Sequence, residues 1–265
     1  MLPLLLSACL GQVNAEALKA QPWKAGVSLG ADASFFGSLG NVVFLDVGGA
    51  ARAQWQTADA PDDEGRVFVR QRLFAVVSAR YTATGRGPFQ NLTFGHARWT
   101  AMWHPRVGTD VFAQVQTNQF LRMQVRAVGG PGVRAELVRT AAFALWGGSA
   151  VMFEYDRLSA LEGSDERLDV FDVRWSTYLT ARVALVGGRL LAQNTTYVQP
   201  RFDRFDDVRV LNETEVMARV TDAFMVGVTA SVLHDTQPPM GVVPTDLRLL
   251  VTTRFSLDVA PPAGS

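Results

Sequence analysis

From Trp23 to Val259 apolar and polar residues alternate with a period of two, over and over. That period belongs to strands, because successive side chains point to opposite faces. In the last segment Leu247, Leu249, Val251, Thr253, Phe255, Leu257 and Val259 share one face. Asp246, Arg248, Thr252, Arg254, Ser256 and Asp258 share the other, with Leu250 the exception. Phe171, Val173, Trp175, Leu179 and Ala181 stand likewise against Asp172, Arg174, Ser176, Tyr178, Thr180 and Arg182. Val67, Val69, Leu73, Ala75, Val77, Ala79 and Tyr81 oppose Arg66, Arg70, Arg72, Ser78 and Arg80. Helical spacing would scatter these charges around a cylinder.

Extended along the chain, the pattern predicts an all-β protein of about 12 strands. The first six run roughly 23–36, 41–55, 66–82, 89–104, 109–117 and 120–136. The second six run roughly 141–157, 167–181, 184–200, 207–219, 222–235 and 246–259. Short turn-like stretches such as Ser38-Leu39-Gly40-Asn41 and Gly85-Arg86-Gly87-Pro88 imply hairpins, hence antiparallel up-and-down order. Pro238, Pro239 and Pro244 mark 237–245 as a loop. An even strand count returns both termini to one side. The polar stretch from Ala58 to Gly65 is then a long connection on the side where bacterial barrels usually keep short turns.

A soluble barrel alternates too, with the apolar face inward. Three features favour the opposite arrangement, an antiparallel up-and-down transmembrane β-barrel. The strands exceed the five or six residues usual in globular sheets. Aromatics recur near the ends of the apolar faces: Trp23, Phe35, Trp55, Tyr81, Phe89, Trp103, Tyr155 and Phe255. Such positions suit the girdles at membrane interfaces. The polar faces carry Arg and Asp and are poor in Lys and Glu, unlike a solvated sheet. A soluble periplasmic lipid-binding barrel stays open as the alternative.

Charge is balanced, 25 basic against 25 acidic residues, so nothing supports a nucleic-acid partner. Lysine occurs only at Lys19 and Lys24. Arg suits partly buried, multiply bonded positions, although a GC-rich genome gives the same bias. Cys9 is the only cysteine, which excludes a disulfide framework and a Cys-based zinc site. No apolar run approaches the 18 or so residues of a membrane helix. Residues 1–15 read as an export signal in one of two ways. Leu6-Ser7-Ala8-Cys9 resembles a lipoprotein cleavage box that would put a lipid anchor on Cys9. Val13-Asn14-Ala15 offers an ordinary signal-peptidase site after Ala15. Residues 16–265 are then a single barrel domain.

Several stretches resemble a known family. They are Ser38-Leu39-Gly40-Asn41, Gly129-Gly130-Pro131-Gly132-Val133-Arg134, Gly147 to Tyr155, and Asp235-Thr236-Gln237-Pro238-Pro239 followed by Asp246 and the closing strand. In order and spacing they are similar to the salt-induced outer-membrane proteins (YdiY-like), which share a domain of unknown function. The resemblance covers nearly all of the mature chain and implies an outer-membrane barrel, but carries over no catalytic residue. The very short Asn118-Gln119-Phe120 connection departs from the family and leaves the pairing of the fifth and sixth strands open.

Candidate chemistry lies in the histidines and in the inward charges. By parity His96 faces inward with Arg98, and His104 ends that face. His234 falls outward, beside Asp235 near a loop. A rim hydrolase would use such a pair, yet no Gly-x-Ser-x-Gly nucleophile accompanies it. His234, Asp235 and His96 are therefore weak catalytic candidates, and the expected protein is not an enzyme. No histidines have metal-ligand spacing, and no cofactor is implied. The expected lumen-lining set is Arg52, Arg70, Arg72, Arg98, Arg122, Arg126, Arg174, Arg248, Arg254, Asp46, Asp172, Glu213 and Glu215. Inward glycines such as Gly26, Gly30, Gly48 and Gly148 would make room for opposing Arg side chains. These charges either line a narrow pore for small solutes or cross-link into networks that plug the barrel in a structural or envelope-stress role. About twelve strands leave only a modest interior, which favours the plug. Expected partners are outer-membrane lipid, lipopolysaccharide and, during biogenesis, the barrel-assembly machinery.

Overall fold

The computed structural model describes residues 26–38, 44–58, 69–84, 87–119, 121–140, 142–163 and 165–259. Both readings of the export segment, at Cys9 and at Ala15, lie outside the described residues, as does most of the 58–65 connection.

Among the described residues twelve antiparallel strands close into one barrel, each paired with its chain neighbours and β1 with β12. They are β1 (Gly26–Ser38), β2 (Phe44–Ala58), β3 (Val69–Thr84), β4 (Gly87–His104), β5 (Val107–Asn118) and β6 (Met123–Arg139). Then come β7 (Phe143–Leu158), β8 (Asp169–Leu185), β9 (Leu190–Pro200), β10 (Val208–Arg219), β11 (Phe224–Asp235) and β12 (Thr245–Val259). The period-two reading thus gives the strand count, the order and nearly every boundary. The clearest shift is at β8, which runs on to Leu185 before a single 3-10 turn, Val186–Gly188, leads into β9. The fifth and sixth strands do pair, from Val107↔Ala135 up to Asn118↔Met123. Their tight turn is closed by the Arg122 amide donating to the Gln119 carbonyl at 3.1 Å, with Arg122 at φ 55°.

The apolar faces point outward. Leu249 is 71% exposed and Val251 66%, while Arg248 between the outward positions is 8% exposed. Near the end where β1 begins and β12 ends, the outward surface carries Trp55, Trp103 and the ring pair Phe224–Phe255, whose centroids are 4.7 Å apart. At the far end it carries Tyr81, Tyr155 and Phe171. The band is interrupted between β9 and β10, where Asn194, Thr196, Asn212 and Thr214 face outward. Their side chains satisfy one another: Asn194 donates to Thr214 at 2.8 Å and Asn212 to Thr196 at 2.7 Å.

Register shifts occur at several strand ends, and one of them re-aims an expected lumen arginine. Thr57 pairs with Gln71 but Ala58 with Val69, so Arg70 is the extra residue of a bulge. The bulge reverses the faces below it. Val69 is buried and Arg70 exposed, the opposite of the arrangement strict alternation gives.

Every wall strand of a closed barrel is a central strand, so Pro131 in β6 removes a ladder donor. The β6–β7 register stops at Gly129↔Phe153 and resumes unshifted at Gly132↔Ala150. Flanking glycines let the two backbones close over the gap: a Cβ on Gly130 would sit 1.9 Å from the Val151 carbonyl oxygen. Gly130→Ala should therefore cost about 1–3 kcal/mol through forced backbone displacement. The readout is a lower temperature at which the compact gel band converts to the unfolded one; an unchanged conversion temperature would count against this account of the seam.

Candidate functional site

The interior is built from the inward positions of all twelve strands, and many of the described inward side chains are buried there. Its densest part lies at the far end. Glu154 (β7) is 1% exposed and accepts from Arg126 (β6) at 3.1 Å, Arg174 (β8) at 3.0 Å and Arg209 (β10). Arg126 also takes Asp156 in a two-pronged bond, 2.6 Å on each arm. Arg209 reaches Asp235 on β11 at 2.7 Å. Arg174, itself 1% exposed, goes on to Asp207 at 3.0 Å and to the carbonyls of Gln199 and Asp207 at 3.1 and 3.3 Å. Charges this deep persist because each is matched by opposite charge and its remaining hydrogens are bonded.

The loop between β9 and β10 folds onto this lattice. Arg201 meets Asp172 at 3.1 Å and Asp203 at 2.7 Å, and Arg204 meets Asp207 at 2.9 Å. Burial alone would raise the Asp207 carboxyl, but the bonds from Arg204 and Arg174 hold it below the usual range. The Arg201 hydrogen bond likewise lowers Asp203.

Three far-end connections are tied together by Arg122. Its guanidinium donates to the Ser159 carbonyl at 2.6 Å, to Glu166 at 2.6 Å and to the Met240 carbonyl at 2.8 Å. Beside it Leu121 and Met123 pack against Val242. Arg122 is thus a clamp in the loop cap, not the strand-borne lumen residue its sequence position suggested. The reason is the β5–β6 turn, which ends strand alternation four residues before β6 resumes it.

A second group lies across β1, β2, β10 and β12. Arg52 and Arg254 share Asp32 at 2.7 and 3.3 Å, and Arg254 grips both oxygens of Glu215 at 3.1 and 2.6 Å. Arg80 meets Asp46 at 3.4 Å and Ser34 at 3.1 Å, and Ser231 donates to Glu213 at 3.1 Å. Arg72 donates to Gln56 at 3.1 Å. Arg98 stands 3.9 Å from Asp110 and lies over the rings of Phe112 and Tyr178, 5.5 and 5.8 Å from their centroids. That last contact spans the lumen from β4 to β8.

Alternation of charge did not reveal how much apolar material is inside. Phe74, Val76 and Phe94 form one buried cluster. Tyr178, Tyr197, Leu211 and Leu233 form another, with Trp146 against it. Phe74 and Val76 carry the same parity as Arg72 and Arg80, so the polar face of β3 already had a gap where they sit. The inward glycines serve both kinds of neighbour. A Cβ on Gly30 would collide with the Arg52 guanidinium at 2.4 Å, as expected for a glycine opposite an arginine. A Cβ on Gly148 would strike the Tyr178 ring at 2.4 Å, so the space there serves an aromatic and not an arginine. Among the described residues, the gaps between these side chains include small cavities of about 50 and 140 Å³, room for a handful of waters each.

The catalytic candidates do not converge. His234 bonds Thr245 on the outward face at 2.8 Å, whereas Asp235 is turned inward to Arg209. His96 is buried between the Phe94 and Phe112 rings, each 6.2 Å away, with Gln114 at 3.2 Å. His104 is exposed in the β4–β5 turn, where it accepts from the Arg106 amide at 3.3 Å. Among the described residues no cluster of His, Cys, Asp and Glu could hold a metal ion.

A closed antiparallel barrel with an apolar outer band, aromatic residues towards both rims and a charged interior is a membrane-spanning β-barrel. The chain belongs to the family described as a protein of unknown function, DUF481, whose pattern matches residues 70–256. The family resemblance read from the sequence is to that extent correct. None of the curated proteins matches the chain. Among solved structures it is similar to the NanC porin, with 8% identity over 89% of this chain and 100% of that one, TM-score 0.44. It is also similar to the KdgM porin, 7% identical over 87% and 99%, TM-score 0.41. A third is the beta domain of the Bordetella autotransporter BrkA, 10% identical over 87% and 98%, TM-score 0.40.

Proposed function

We propose that this protein is an integral outer-membrane barrel whose lumen is shut by its own side chains, serving the envelope as a closed, non-catalytic barrel. The observation that carries this reading is the lattice around Glu154, which joins β6, β7, β8 and β10 through buried ion pairs directly beneath the loop cap. A pore for solutes would leave charges free along its axis to exchange with water and ions. Here the far-end charges are spent on one another. The end where β1 begins and β12 ends faces the periplasm on this reading. On this reading the partners are outer-membrane lipid and lipopolysaccharide, with the barrel-assembly machinery during insertion.

Planar-bilayer recording tests it. The wild-type barrel should add little conductance. The double variant Tyr178→Ala/Tyr197→Ala, which removes two rings from the lumen while sparing the ion pairs, should add steady conductance. A wild-type channel as wide as an open porin would overturn the proposal.

A further inference from the structure

Among the described residues most inward arginines are paired with a carboxylate, and one group is not. It lies at the end where β1 begins and β12 ends, on β8, the turn after it, and β10. Arg182 is a half-buried inward residue of β8, and among the described residues its side chain has no hydrogen bond or ion pair. The charges that act on it are Arg219 and Glu215. Glu215 cannot neutralise it well, because both of its oxygens are held by Arg254. Arg219 continues the inward parity of β10 at the exposed rim, and its amide donates to the Arg189 carbonyl at 2.8 Å. That bond brings the turn carrying Arg189 alongside β10. Arg189 and Arg219 have no carboxylate partner among the described residues either. Directly opposite Arg182 in the β8–β9 register stands Gln193. Its side-chain nitrogen is buried and has no acceptor. Among the described residues, the guanidinium groups of Arg182 and Arg219 and the Gln193 amide therefore share one mouth, beside the turn that carries Arg189, with no carboxylate paired to them.

We infer that this mouth is an oxyanion site that takes a phosphate group. Guanidinium is the side chain best matched to phosphate, because its fixed fork bonds two oxygens at once and it stays charged. Arg182 and Gln193 supply the inner, partly desolvated contacts, where a charge-assisted bond is strongest. Arg189 and Arg219 supply the rim, where they raise the local concentration of anions. The phosphate belongs either to a lipid headgroup at the rim of the barrel or to a small soluble molecule entering the mouth. The inference uses only the barrel and its ion pairing, so it stands or falls separately from the closed-lumen reading.

The experiment titrates inorganic pyrophosphate into the folded barrel in an uncharged detergent, followed by calorimetry. A second arm measures the headgroup selectivity of the reconstituted barrel by electron spin resonance: spin-labelled phosphatidylglycerol, whose phosphate carries an uncompensated charge, against spin-labelled phosphatidylcholine, whose phosphate is neutralised by choline, in vesicles of phosphatidylcholine. Arg182→Gln should weaken the response at least about tenfold, the loss of one charged, partly buried contact. Arg219→Gln, an exposed change that threatens the fold little, should weaken it to a lesser degree, and retention of the compact gel band verifies folding of both. Arg106→Gln, at the same end but on the β4–β5 turn, should leave it unchanged. Pyrophosphate binding identifies a soluble phosphate as ligand; phosphatidylglycerol selectivity without it identifies a headgroup. Absence of both in the wild type, or an equal loss in Arg106→Gln, overturns the site.

Discussion

Glu154→Ala should destabilise the barrel by about 3–5 kcal/mol, the usual result of removing one member of a buried ion pair. Three arginines lose their common acceptor at once. Arg126 retains Asp156, Arg174 retains Asp207 and Arg209 retains Asp235, but each keeps a guanidinium edge facing a cavity where Glu154 stood. The damage comes from uncompensated charge in a dry interior and not from lost attraction as such. That distinction is testable with a double variant. Glu154→Met combined with Arg209→Met removes one charge of each sign and refills the space, and it should recover a substantial part of the loss. Urea titration in lipid vesicles supplies the stabilities. If Glu154→Ala costs under about 1 kcal/mol, the lattice is an ornament of the lumen and the closed-barrel reading loses its main support.

Val251→Arg should cost about 2–4 kcal/mol and leave little assembled barrel, because it sets a guanidinium against lipid in mid-strand. Thr252→Arg, one residue along on β12, should be milder, limited by crowding among Arg254, Glu213 and Arg248. Both a soluble and a membrane barrel suffer at position 251, so a cysteine at position 255 provides the separating measurement. Phe255 is 50% exposed on the outer surface. In membranes Phe255→Cys should react with a lipid-soluble reagent and resist a water-soluble one. Strong aqueous labelling would show that the outer face meets water.

Strand positions, their order, closure and most of the inward-facing residues were legible in the alternation of the chain alone. These follow from a local rule: side chains on an extended backbone alternate, and a one-residue slip would put charge in lipid, so register is tightly held. Arg52, Arg98, Arg126, Arg174, Asp172, Glu213 and Arg248 are accordingly buried where alternation puts them, and Arg72, Arg254 and Asp46 lie half-buried on the same inner face. Alternation fails where the backbone departs from it. The bulge at Arg70 and the turn at Arg122 each re-aim a side chain, and neither leaves a mark in the hydrophobic pattern. Partner choice lay further out of reach. That Arg209 meets Glu154 across 55 positions of chain, that Arg98 crosses the lumen to Tyr178, and that Arg182 meets no carboxylate among the described residues are consequences of barrel curvature and stagger. Only closure of the sheet brings such residues together, so only the tertiary structure decides which charges are matched and which are left at the mouth.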